Sequence, residues 1–179
     1  MLTRQNEMTL EEFVDFANLP ENAARNLEFI NGEIVEFLPG STAYSQVATI
    51  LIAHVYIFCH QHNIPCNISG SKGPYGINGN VVTPSFAYKP TEMSDEYPDP
   101  NPPLWVSETI FPTEKAIPVR NKREIYNRAG ILLWEIYYPS RSVDVYAPGQ
   151  PKKTYSMGDA LNGGDVLPGF TLEVAVLFA

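Results

Sequence analysis

The chain has 179 residues, 44% of them hydrophobic, enough for one domain with a sizeable core. Twenty acidic side chains against twelve basic ones give a net charge of −8, which argues against non-specific coating of nucleic acid but leaves room for a local basic groove. Two cysteines, Cys59 and Cys66, are too few for a disulfide framework, and the longest apolar run, "VATILIAHVYIFC", covers 13 positions and contains His54, which suits a core helix and no membrane span.

From the N-terminus, "MLTRQNEMTLEEF" carries no apolar signal core, so a cytoplasmic protein is expected. "MTLEEFVDFANL" reads as a helix, with Thr9 as N-cap and Glu12 three residues on, the two halves of a capping box. "NLEFINGEIVEF" alternates around Asn31-Gly32, the strongest short-range hairpin signal. Ser41 precedes a long helix near 41–62, in which Val47, Ile50, Leu51, Val55 and Phe58 recur at helical spacing. "CNISGSKGPYGINGN", with glycines at 70, 73, 76 and 79, predicts short strands joined by turns. "VVTPSFAY" (81–88) predicts one strand, with Pro84 marking an edge or a start.

The acids and five prolines of "KPTEMSDEYPDPNPP" (89–103) predict an exposed loop, and "LWVSETIFP" (104–112) a central strand. "PVRNKREIYNRAG" (118–130) reads as a basic helix, with Pro at its first position and Gly130 as its stop. "ILLWEIYYP" and "SVDVYAP" predict two strands turning at Pro139-Ser140; a last hairpin and "LPGFTLEVAVLF" close the chain. The sum is an α+β fold in a single domain, 1–179: a mixed sheet with the long helix on one face and the basic helix against it.

Four kinds of chemistry can be weighed. "CHQHNIPC" (59–66) packs Cys59, His60, His62 and Cys66 into eight residues, but zinc spacings are more open, and a helix end beside a buried Cys59 explains it as well. The glycine series lacks GK[ST] and a following helix, so it is no phosphate loop. No serine sits in a G-x-S-x-G elbow, and the three histidines crowd within nine residues, which leaves nucleophilic triads without support. Carboxylates and lysines remain. Glu108 stands in the middle of the most strand-like run, where a buried carboxylate needs a partner or a metal. Glu28 lies on the first hairpin strand, and Lys122 and Tyr126 lie one turn apart on the basic helix. Converging, the two carboxylates and the lysine can hold Mg²⁺ and polarise a phosphate; otherwise they are solvated side chains. Arg120, Lys122, Arg123 and Arg128, with Lys115 just ahead, concentrate positive charge in an acidic chain, as a phosphate backbone requires or as an ordinary solvated helix face allows.

The order of these pieces resembles the Uma-two family, restriction-endonuclease-like domains on the PD-(D/E)XK nuclease core. The resemblance is carried by "TLEEF", "LEFINGEIVEF", "PSFAY", "WVSETIFP", "KREIYNRAG", "LWEIYYP" and "GDVLPGFTLEVAVLF", which follow the family's order across nearly the whole chain. It implies a restriction-endonuclease-like core, with Glu108 and Glu28 as ligands of a catalytic Mg²⁺, or of Mn²⁺. The family moves the catalytic lysine from the E-x-K tripeptide, whose third position is Ile110 here, to the following helix, where Lys122 falls with Tyr126 behind it.

The chain departs from the pattern at three places. The aspartate of the family's "PD" is Ser85, after an intact Pro84; a histidine that often begins the long helix is Tyr44; an acid four residues before the lysine is Pro118. Asp99, in Pro98-Asp99, is the substitute ligand to consider for Ser85. The resemblance therefore implies a DNA endonuclease family member that binds its ion weakly and cleaves poorly or not at all. The other readings are a non-enzymatic descendant using the same cleft to bind nucleic acid or protein, and an interaction module pairing through "LWEIYYP" and "VDVY". A homodimer is expected by analogy with nucleases that cut two strands.

Overall fold

The computed structural model describes residues 8–37, 40–112 and 116–179. Helix α1 (Leu10–Ala17) starts at the capping box: Glu12 N–H donates to Thr9 Oγ1 and Thr9 N–H donates to Glu12 Oε2. Its Phe13 is fully buried and stacks on Phe29 of β1 (Leu27–Ile30), fixing the helix to the first hairpin. Asn31 and Gly32 take φ of 53° and 86°, so the chain reverses in a two-residue turn into β2 (Glu33–Glu36). Helix α2 (Thr42–His62) ends where Asn63 turns left-handed at φ 54°.

Strands β3 (Asn67–Gly70), β4 (Tyr75–Ile77) and β5 (Asn80–Val82) occupy the glycine-punctuated region. The single strand expected over 81–88 is two. Pro84 has no N–H to give a ladder, and the chain leaves one sheet at Val82 and enters another at Phe86, the start of β6 (Phe86–Lys89). After β7 (Trp105–Ile110) come α3 (Ala116–Arg128), β8 (Leu132–Tyr137), β9 (Ser142–Tyr146), β10 (Lys153–Ser156), β11 (Ala160–Gly163) and β12 (Leu167–Glu173). The basic helix begins two residues earlier than Pro118 predicts, with that proline inside its first turn, where no intrahelical donor is required. Gly130, at φ 69°, stands just beyond its end.

The large sheet has the order β10-β9-β8-β7-β6-β3, and β7 with β8 is its parallel pair, joined by the α3 crossover. A smaller antiparallel sheet, β2-β1-β5-β4, and the β11-β12 hairpin complete the architecture. Alternation along the strands sorts the large sheet into two faces. Trp105, Trp134, Phe86, Tyr88 and Ile136 face α2, meeting Val47, Leu51, Val55 and Cys59 in the largest core cluster. Ala87, Val106 and Leu133 face α3, packing with Ile125 and Tyr126 and with Tyr75, Ile77 and Val82 of the small sheet. The two helices therefore flank the sheet from opposite sides, and α3 lies where both sheets meet.

By length and composition α2, 21 residues without Asp, Glu, Lys or Arg, could cross a bilayer, contrary to the reading of its apolar run alone. Uncharged polar residues at both ends lengthen the eligible segment, while its apolar stripe is packed on the sheet. The segment 89–103 also differs from an exposed loop. Lys89 and Asp99 are both buried and paired, and Asp99 further accepts from the N–H groups of Ser94 and Asn101. The Lys89 ammonium lies 5.8 Å from the Tyr75 ring centre. A charge in that place is tolerated because each group satisfies the other. Replacing Lys89 with Ala leaves Asp99 buried alone and is expected to cost about 3–5 kcal/mol in urea unfolding followed by circular dichroism. The double variant Lys89→Met/Asp99→Leu should lose markedly less.

Candidate active site

Three elements deliver the site. Glu28 comes from β1 in the small sheet, Glu108 from β7 in the large one, and Lys122 and Tyr126 from successive turns of α3. Lys122 Nζ sits between the two carboxylates, 2.9 Å from Glu28 Oε1 and 2.8 Å from Glu108 Oε1. It also donates to the Thr83 carbonyl at 3.5 Å. Tyr126, completely buried, donates its hydroxyl to the same Glu108 oxygen at 2.7 Å. Glu28 Oε1 accepts in addition from the Thr83 N–H at 2.7 Å, which ties it to the crossing between sheets at Pro84. Oε1 of each glutamate is thus held by partners on other elements.

Burial dominates the electrostatics. It pushes the Glu108 carboxyl up; Lys122 pulls it back, Glu28 pushes it further, and the net position is about 7 against an ordinary 4.5. For Lys122, desolvation works against the ammonium but the two carboxylates outweigh it, and its proton is held more tightly than usual. The Tyr126 phenol is raised well above its ordinary value, by burial first and then by the negative charge beside it. At neutral pH the tyrosine donates and the lysine is a cation.

Ser85 precedes β6, and since Phe86 pairs with Ser107 in antiparallel register, Ser85 stands opposite Glu108. Its hydroxyl accepts from the Thr109 N–H at 3.2 Å. An aspartate there would put a third carboxylate beside the pair. Asp99 does not replace it, because its oxygens are engaged by Lys89, Ser94 and Asn101. Tyr44 packs in tilted ring contacts with Phe111 and Tyr138 at the start of α2, 4.6 and 4.9 Å between ring centres. In the Cys59–Cys66 stretch, His62 Nδ1 is bonded to the Phe58 carbonyl and His60 stacks on Tyr56. Among the described residues, no three His, Cys, Asp or Glu side chains are grouped as a metal site.

The residues expected to meet nucleic acid divide into kinds. The Arg123 guanidinium turns inward, bonding both oxygens of Glu135 at 2.8 and 2.7 Å and lying over the Tyr146 ring. Its charge is paired within the fold. Glu135 is buried on β8 and its charge holds the arginine there. Lys122 is likewise committed to the two glutamates. Arg120 and Arg128 are exposed, flanking Glu124 at 3.8 and 3.5 Å, and Lys115 lies outside the described residues.

Sequence reasoning missed the Glu135 network, although its signal was on view: "LLWEIYY", like "WVSETIF", sets one acid inside an apolar strand. The parallel register puts Glu135 directly beside Glu108, and Asp144 of β9 follows beside Glu135. Three acids thus run in a row across the α3 face, met by Lys122, Arg123 and Lys152 respectively. Tyr137 adds a hydroxyl bond to Glu135 at 2.8 Å.

A family model, Uma2, described as "Putative restriction endonuclease", matches residues 10–175. The chain belongs to this family. The Uma2 match takes in every element of the site and is the family that the sequence motifs resemble. The fold agrees with a crystal structure from Anabaena variabilis ATCC 29413, described as "a putative nuclease belonging to DUF820". The TM-score is 0.78 over 96% of this chain and 97% of that one, at 17% identity. No curated protein matches the chain.

Within the Uma2 site, the raised Glu108 carboxyl sets a pH dependence of stability. Between about pH 4.5 and 7 the folded protein carries a proton that the unfolded chain has released, so stability falls as pH rises across that range. The contribution is complete below the unfolded value and is lost as pH passes through about 7. Melting followed by circular dichroism should show Tm declining from about pH 5 to 7. The Glu108→Gln variant, with nothing to titrate at that position, should lack this component.

Proposed function

We propose that the chain is a divalent-ion-dependent DNA endonuclease domain of weakened activity, hydrolysing phosphodiesters through the Glu28–Glu108–Lys122 cleft. One observation carries the reading: residues 94 positions apart in sequence bring two carboxylates and a lysine to hydrogen-bonding distance of one another, in a chain of the Uma2 family. The residues fit a cation to a defined extent. Oε1 of Glu28 and Oε1 of Glu108 already share one positive atom, the Lys122 nitrogen, and Ser85 adds no charge beside them.

Glu28 and Glu108 would hold the ion, Mg²⁺ or Mn²⁺. When bound, such an ion polarises a phosphoryl oxygen and lowers the pKa of a bound water. Lys122 supplies a positive charge for the oxygens of the scissile phosphate. Tyr126 keeps Glu108 in one rotamer, so the carboxylate costs little reorganisation. Thr83, through its N–H, does the same for Glu28. Arg120 and Arg128, exposed on the same helix, are the side chains that would meet the phosphate backbone, and that contact weakens with salt. The protein would act in the cytoplasm, pairing with a second copy to cut both strands.

A second reading rests on a specific feature: the lysine sits between the carboxylates as a closed ion-pair cluster, and Ser85 is bonded to backbone. In that form the cleft binds DNA or a protein without turnover. Plasmid nicking separates the two. The natural protein should cleave weakly in Mg²⁺ and somewhat better in Mn²⁺, which is less strict about geometry. Ser85→Asp should strengthen ion binding in calorimetry and raise nicking by about tenfold or more, because it restores a charged ligand. Glu108→Ala in that background should abolish both. Efficient cleavage by the natural protein, unchanged by Ser85→Asp, would overturn the reading of a weakened site. DNA binding at low salt with no cleavage in any variant would establish the non-enzymatic reading. Arg120→Ser/Arg128→Ser should weaken duplex binding in fluorescence anisotropy, with a shallower salt dependence than the natural protein.

A further inference from the structure

We propose that Lys122 is the built-in competitor for the cation seat of this site: its ammonium occupies the position between Glu28 and Glu108, and a divalent ion binds only by displacing it. The inference rests on the reading above, that these carboxylates form a cation seat, and adds what regulates its occupancy.

The geometry is specific. Lys122 Nζ approaches the two Oε1 atoms at 2.9 and 2.8 Å, a symmetric placement between carboxylates that come from different sheets. Both oxygens are also the ones already taken by fixed donors, Thr83 N–H on Glu28 and Tyr126 hydroxyl on Glu108. The carboxylates are therefore aimed at a common point by the protein, and the ammonium is what stands there. An ion entering beside a retained ammonium meets like-charge repulsion at close range in a poorly solvated cleft. With a serine opposite Glu108 no third carboxylate is present, and the cluster becomes one unit more negative once the lysine's charge is removed.

While seated, Nζ also donates to the Thr83 carbonyl at 3.5 Å, on the chain crossing between the sheets, so an entering ion breaks that bond together with the two ion pairs. The long, flexible lysine stem allows the exchange without moving α3, whose packing depends on Ile125 and Tyr126. Lysine occupancy and ion occupancy are therefore alternative states of one seat. This makes the residue matched to the family's catalytic lysine an obstacle to ion loading in this chain, where the third carboxylate that would outcompete it is missing.

The test measures ion binding, not turnover. Mn²⁺ binding is followed by electron paramagnetic resonance of the free ion and by calorimetry, on the full chain as natural protein, Lys122→Met, Lys122→Gln, Lys122→Ala and Glu108→Gln, each checked for folding by circular dichroism. Lys122→Met should bind Mn²⁺ about tenfold tighter or more than the natural protein, because a positive charge leaves the seat. Lys122→Gln, which keeps donors for both oxygens without the charge, should move the same way and serves if the methionine variant does not fold. Glu108→Gln should lose binding. Added methylammonium should weaken Mn²⁺ binding in Lys122→Ala and leave the natural protein unaffected. If Lys122 variants bind Mn²⁺ equally or more weakly while Glu108→Gln abolishes binding, the seat is real and Lys122 organises it, so the competition is refuted. If no variant binds Mn²⁺ at millimolar concentration, the cation-seat reading falls and this inference with it.

Discussion

The ion cluster of Lys122 with Glu28 and Glu108 is the junction on which the rest of the structure depends. Glu28 belongs to the small sheet, Glu108 to the large sheet and Lys122 to the helix that connects β7 to β8. One ammonium thus joins three elements whose apolar surfaces meet in a single cluster of Tyr75, Ile77, Val82, Val106 and Tyr126. The apolar contacts supply the burial, and the ion cluster fixes how the surfaces sit against each other. Two carboxylates drawn from water toward one cation cannot slide by a residue without leaving a charge unpaired, which is far costlier than a shifted methyl group.

The same logic extends sideways across the α3 face. Glu108, Glu135 and Asp144 occupy neighbouring register positions on β7, β8 and β9. Acids directly opposite one another repel, so each needs its own cation. Lys122 and Arg123, consecutive on α3, serve the first two; Lys152, on the segment before β10, serves the third. Arg123 suits its place because a guanidinium fork can bond both oxygens of Glu135 while its flat face covers Tyr146. An ammonium suits the neighbouring place, where two separate carboxylates converge on one point. Lys89 with Asp99 repeats the pattern at the far end of β6. Charge on this face is buried by pairing, and the pairs define where loops and helix must lie.

Much of the site was legible in the chain, and for reasons that can be named. Glu108 and Glu135 were visible as single acids within apolar strands, although only the first was recognised. The capping box at Thr9, the Asn31-Gly32 turn and the left-handed Gly130 are local features, decided by a few adjacent residues, and they fold as read. The motif order also led to the family that residues 10–175 match. Pro84, expected to mark an edge or a start of one strand, instead separates two strands. Which sheet each side of it would join could not be read, because that choice is made by β1 and β7, distant in sequence.

The sequence by itself determined most of the elements, the α+β class and the list of charged residues available for a site, because periodicity, capping and turn chemistry act over a few residues at a time. Tertiary structure decided which of those charges meet. Lys122 and Arg123 are both cationic and adjacent in the chain, yet one lies between Glu28 and Glu108 and the other locks onto Glu135. The acid of an apparently exposed loop, Asp99, is buried against Lys89. Ser85 and Glu108 became neighbours only through strand register. Pairing of buried charges is a long-range condition: it depends on which strands lie side by side and which way a helix crosses them, and no local pattern of residues carries that information.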